Sequence, residues 1–163
     1  MKITSKNFKN KKVFLVGSLF LTPIWVNALK YNFDVFLLAG QEFDIKSFKD
    51  AGINTNNICN LTENEYLNYK NISDLKFAMD VLKDFEISHE TCISKIIQSD
   101  RTIRQSSFQV QISYIAFVIT RVLKFFEKTT PSFIISEPTH AHERIIAIIG
   151  SKRKIPVYHP LID

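Results

Sequence analysis

The chain has 163 residues, of which 45% are hydrophobic and 23% are charged, and its formal net charge is +5. This length allows one ordinary domain or one lobe of a larger protein, and the composition excludes disordered, collagen-like and disulfide-stabilised classes. The two cysteines, Cys59 and Cys92, lie far apart and form no C-x-x-C pair, so the sequence predicts neither a structural zinc site nor a disulfide framework.

The excess positive charge lies at the N-terminus. Residues 1–12 contain lysines and no acid, and the charges of the remaining residues balance. We therefore expect a flexible basic lead over 1–12, a single domain over 13–163, and no folded basic face for nucleic acid. The lead could make a peripheral contact with an anionic membrane surface, at about 1 kcal/mol per basic residue.

An uncharged stretch from Val13 to Leu29 has two interpretations. The favoured one is a buried strand over 13–16, a turn at Gly17 and Ser18, and a helix to about residue 31, because a second apolar strand follows over 34–40 at βαβ spacing. The alternative is a signal peptide or N-terminal anchor.

The next part of the chain also alternates between strand and helix patterns. We expect a helix over 42–51, a weak strand over 57–61, and mostly helix over 62–100. Thr62, with Glu65 three residues on, is typical of a helix-starting capping box.

A long helix is predicted from about residue 104 to 128. Its apolar residues recur at spacings of three and four, which indicates a mostly buried helix. Several glutamines interrupt the apolar run, so a membrane span is disfavoured.

The last part predicts a strand over 131–136, a polar turn over 137–140, a helix over 141–152 and a strand over 155–158. This order is a parallel βαβ unit. The predicted fold is therefore α/β, a three-layer Rossmann-like open parallel sheet with helices on both faces, in a single lobe.

Ligands of open α/β sheets bind at the carboxyl ends of the strands. That rule brings four segments to one rim: Gly17-Ser18, 40–42, 137–142 and His159. We take Gly17 and Ser18 as candidate substrate-binding residues. A carboxylate, a threonine and histidines before a helix suit a sugar hydroxyl or phosphate, so we select Glu137 and His140 as candidate catalytic residues and Thr139 and His142 as binding residues. The alternative is that Glu137 makes a local cap and both histidines are solvated. The two-residue spacing of the histidines does not suit a helical zinc pair, and no metal is expected.

Arg101 and Arg104 are a second candidate set. Three positions apart on one helix face, they could clamp a phosphate or carboxylate. The ordinary alternative is a local salt-bridge set with Asp100. Gly17-Ser18 lacks the glycines and lysine of nucleotide-binding loops, so no bound cofactor is predicted.

These segments together resemble the N-terminal domain of bacterial capsule and surface-polysaccharide biosynthesis proteins, which are similar to glycosyltransferases with two Rossmann-like domains. The resemblance lies in the 100–101 pair, the long helix, the strand that ends at Glu137 and the Ile155-Pro156-Val157 strand. Ser132 stands where an aspartate is usual in that pattern, and Lys154 where a glycine is usual.

The resemblance implies an acceptor-side lobe whose donor-binding second lobe is absent from this chain. A nucleotide sugar would be the co-substrate, and a sugar or glycolipid the acceptor. Expected partners are a donor-domain protein or a second copy of the chain, in the cytoplasm or at the inner face of the membrane. A sugar-nucleotide epimerase-like lobe shares this outline. A different class, a non-catalytic binding module that dimerises through the 105–128 helix, also remains open.

Overall fold

Five parallel strands form the sheet in the computed structural model, which describes residues 11–17 and 21–159. Their order across the sheet is β3-β2-β1-β4-β5, and all four pairings are parallel. The strands are β1 (Lys12–Val16), β2 (Asp34–Ala39), β3 (Ile58–Asn60), β4 (Phe133–Ile135) and β5 (Val157–Tyr158). The predicted α/β Rossmann-like open sheet is confirmed.

Seven helices connect the described strands. They are α1 (Thr22–Leu29), α2 (Glu42–Asp50), α3 (Glu63–Leu67), α4 (Leu75–His89), α5 (Ile93–Ser99), α6 (Phe108–Lys128) and α7 (Ala141–Lys152). Two short 3-10 turns, 55–57 and 103–105, join them. Helices α3 to α6 all lie in the single connection between β3 and β4.

Alternate side chains of the strands form two separate cores, one on each face of the sheet. Val13, Leu15 and Leu37 pack with the buried residues of α1 and α2. Phe14 and Leu38 pack on the opposite face with α4, α6 and α7. Both faces of a doubly covered parallel sheet are apolar, which explains why the strand sequences are continuous hydrophobic runs.

Helix α6 fills the centre of the larger core. Ile115, Phe117 and Val122 are among nine buried residues of this helix, and the ring of Phe14 lies 4.9 Å from that of Phe126, edge to face. In the described part of the chain, α6 is the one helix with the length and apolar composition that crossing a membrane would require, and half of its most apolar window is buried inside the domain.

Two local predictions are wrong. The long helix starts at Phe108 rather than near Arg104, because Ser106 and Ser107 are extended and the Ser107 side chain accepts the Val110 N–H at the helix start. Thr62 does precede α3, but its side chain makes no cap hydrogen bond. Its hydroxyl is instead buried, with no partner among the described residues.

Candidate functional site

A cleft of about 480 Å³ opens at the carboxyl ends of β2 and β3, against the first turn of α7. Its volume is in the usual range for small-molecule sites. The strands contribute the segments that follow them, Gly40 to Phe43 and Leu61 to Asn64, and the connection before α6 forms the opposite wall. The polar side chains that line the cleft include Asp100, Tyr114, His140 and His142.

Asp100 links two of the segments that line the cleft. One carboxylate oxygen accepts the N–H groups of Thr102 (2.9 Å) and Ile103 (3.0 Å), and the other accepts the N–H of Ala141 at 2.7 Å. Burial favours the protonated acid, but these backbone donors outweigh it and hold the pKa of Asp100 below its ordinary value. The carboxylate thus ties the 100–105 turn to the first residue of α7.

Glu143 organises the turn before α7 in the same way. One of its carboxylate oxygens accepts the N–H of Thr139 (2.7 Å), the hydroxyl of Thr139 (2.8 Å) and the N–H of His140 (2.7 Å). Burial raises the pKa of Glu143, against the opposing effect of these donors. The Thr139 hydroxyl therefore donates to a carboxylate and does not accept a helix N–H.

His140 and His142 lie side by side on the cleft wall. Their rings are parallel, with centroids 5.8 Å apart. His140 is 42% exposed, and its Nδ1 lies 3.8 Å from the Asp100 carboxylate. Burial, together with the neighbouring His140, lowers the pKa of His142 to about 4, so this imidazole is neutral near pH 7.

Gly40 makes room for His142. A Cβ at position 40 would lie 2.7 Å from both Cε1 and Nε2 of the His142 ring. His142 is 7% exposed, and the Nε2 atom of its ring has no hydrogen-bond partner among the described residues. The close approach of ring and backbone is possible only because residue 40 has no side chain.

The structure brings together part of the predicted site. His140 and His142 line the cleft, whereas Glu137, half-buried after β4, and Thr139, exposed in the turn, are not among its lining residues. Arg101 is exposed in a turn, and Arg104 lines a separate groove with Met79 and Phe108.

The two arginines do not share a helix face as predicted, because the segment that carries them is a turn followed by a 3-10 turn. Gly17 follows β1 and lies against the carboxylate of Asp44. The predicted binding residue Ser18 lies outside the described residues.

Sequence reasoning missed two buried carboxylates. Glu143 was not among the candidate site residues, although an acid three positions after a helix cap is a signal for capping the preceding N–H. Asp44, also fully buried, accepts the Thr22 hydroxyl at 2.7 Å, and burial raises its pKa despite this donor. In the sequence, Asp44 is only an acid in the first turn of α2. No local sequence pattern indicates that it contacts Thr22.

Among residues 11–17 and 21–159, no group of three or more histidine, cysteine, aspartate and glutamate side chains could hold a metal ion. Comparison with known proteins adds no relative: no family model, curated protein or solved structure matches the chain at a significant level. The class of protein is therefore defined by the fold alone. It is an open α/β Rossmann-like sheet with a polar cleft at the carboxyl ends of its strands.

Proposed function

We propose that this chain is a glycosyltransferase-like lobe of surface-polysaccharide biosynthesis and that its cleft holds the sugar acceptor. The observation that carries the proposal is the position of His140, a partly exposed imidazole on the wall of the cleft with a fixed carboxylate behind it. The resemblance to the acceptor lobe of two-domain glycosyltransferases supports the same assignment.

The geometry suits a general base. The Asp100 carboxylate lies 3.8 Å from Nδ1 of His140, a position from which it would attract the positive charge that the imidazole gains when it takes a proton. An acceptor hydroxyl at Nε2 would lose its proton as its oxygen attacks the anomeric carbon of a nucleotide sugar. The nucleotide-sugar donor would be bound by a second lobe, at the inner face of the membrane.

Other polar groups of the cleft suit hydroxyl recognition. The Asn64 side-chain amide donates to Glu42 at 3.2 Å, and the Tyr66 hydroxyl lies 2.7 Å from that of Ser113. Phe43 and Tyr114 add apolar surface to the same cleft. Such a mixture of oriented polar groups and rings is typical of small-molecule pockets.

The alternative, an interaction module that dimerises through α6, has less support. The apolar face of α6 is already used within the chain, against the sheet and α4. Its exposed hydrophobic side chains, Phe108 and Val110, are confined to the first turn.

The test is a binding titration of the full chain with free hexoses, amino sugars, uronic acids and nucleotide sugars. We expect saturable binding of at least one free sugar, and His140→Gln to weaken it about tenfold, the loss of one good hydrogen bond in a partly dry site. His89→Gln is the matched control, because His89 stacks on Phe85 at the end of α4, away from the cleft. Absence of saturable binding for every sugar, or an equal loss in both variants, would overturn the proposal.

A further inference from the structure

The charges of the side chains that line the cleft indicate which class of ligand it can bind. Three carboxylates, those of Glu42, Glu63 and Asp100, line it, and no lysine or arginine is among its lining residues. His142 adds no positive charge near pH 7 because its imidazole is neutral. The wall is therefore negative, the opposite of a phosphate or carboxylate site.

The first turn of α7 does not make the cleft attractive to anions. Helix N-termini commonly attract anions through free N–H groups. Here the N–H of Ala141 is already bonded to Asp100, and the N–H groups of Thr139 and His140 are bonded to Glu143. Two carboxylates of the chain itself thus occupy the position that a ligand anion would take.

An independent feature points to a ligand with hydroxyl or amine groups. The Nε2 atom of His142, whose side chain is more than nine-tenths buried, has no partner among the described residues. It lies against Gly40, which is itself part of the cleft wall. A buried ring nitrogen without a partner is costly. Because Nε2 is closed to solvent, a ligand hydroxyl or amine would reach it only if the ring moved away from Gly40, and would then remove that cost.

We infer that the cleft takes an amine-bearing sugar and discriminates against sugars that carry a carboxylate or phosphate. This inference rests on the proposed function and names the acceptor class of the same site. The exposed carboxylates of Glu42 and Glu63 hold the ammonium group at the mouth of the cleft. Asn64 orients Glu42, and the sugar hydroxyls lie toward the two histidines.

The experiment compares glucosamine, glucose and glucuronate as probes of the full chain by titration calorimetry at low ionic strength. We expect glucosamine to bind about tenfold more tightly than glucose, equivalent to about 1.4 kcal/mol, and glucuronate to bind most weakly. Salt should reduce the preference because both carboxylates are exposed. The double variant Glu42→Gln/Glu63→Gln should bring glucosamine close to glucose. Glu127→Gln, an exposed acid near the end of α6, is the matched control and should leave the preference unchanged.

The outcomes separate this inference from the proposed function. Glucuronate binding as tightly as glucosamine, or a preference that survives the double variant, overturns the inference and leaves a sugar-binding lobe standing. Binding of 1,3-diaminopropane without any sugar, lost in the double variant, overturns the proposed function and the sugar part of the inference, and supports only the preference for cations. Failure of all four probes to bind overturns both.

Discussion

Replacement of Asp100 tests whether a single carboxylate holds the cleft wall together. Its side chain is almost fully buried and accepts three backbone N–H groups, two from its own turn and one from α7. Hydrogen bonds to a charged group contribute about 1.5–3 kcal/mol each, and they are not additive within one network. We expect Asp100→Ala to lower the free energy of unfolding by about 4 kcal/mol.

Asp100→Asn should lose about half as much, roughly 2 kcal/mol. An asparagine oxygen can still accept from Thr102 and Ile103, but its NH₂ group then faces the N–H of Ala141, donor against donor. Urea denaturation at pH 7 measures both values. Asp80→Asn, an exposed acid on α4, is the control and should change stability by less than about 0.5 kcal/mol.

The acid limb of the stability curve gives a second measure. Because the folded pKa of Asp100 is lowered, its stabilisation is complete above the unfolded pKa, near 4, and is lost as the pH falls through the folded pKa. Wild type should therefore lose more stability below about pH 4 than Asp100→Asn. Equal unfolding free energies for wild type and Asp100→Ala, or identical acid limbs for wild type and Asp100→Asn, would refute this account of the wall.

Three further substitutions test a close contact, a buried acid and a strained backbone position. Gly150→Ala places a Cβ 2.5 Å from Cδ1 of Ile134 and should lower the free energy of unfolding, measured by urea denaturation, by about 1–3 kcal/mol. Adding Ile134→Val should recover part of that stability. Strict additivity of the two changes would contradict the steric cause. Asp44 has a raised pKa, so its ionisation lowers the stability of the fold as the pH rises above about 4. Asp44→Asn should keep the Thr22 hydrogen bond, reduce this loss of stability and raise the melting temperature at pH 7. A lower melting temperature at pH 7 would contradict this explanation. Lys154 has a positive φ of 58°, so Lys154→Gly should stabilise the chain by about 0.5–1 kcal/mol, and a loss of stability in the same assay would disprove strain at this residue.

The fold was predictable because its signals are local. Short apolar runs ended by glycine or polar residues indicated the strands, and the predicted range of α7 agrees with the observed Ala141–Lys152. Helix periodicity likewise indicated the buried face of α6. These patterns depend only on neighbours within a few residues, which a single sequence displays directly.

The wall of the cleft was predictable only in part because its contacts are long-range. Both histidines could be selected because they lie at the polar turn and the first turn of α7. The bond from Asp100 to Ala141 joins residues 41 positions apart, and the sequence offered a nearer partner for Asp100 in Arg101. Residues 40–42 of the predicted rim do line the cleft. Its opposite wall depends on how the segment before α6 returns to the sheet, and no spacing rule encodes that path.

The position of β1 has a consequence for synthesis of the chain. Residue Val13 is paired on one side with Val35, soon after it in the sequence, but on the other side with Phe133. While the chain emerges from a ribosome, β1 to β3 can associate with α1 and α2, yet one edge of β1 and a whole apolar face remain uncovered until α6 and β4 are made. Unpaired apolar edges favour aggregation of nascent chains. Premature termination anywhere before β4 would release such a species, so chaperone capture of ribosome-bound intermediates should persist until the segment containing Phe133 has left the exit tunnel.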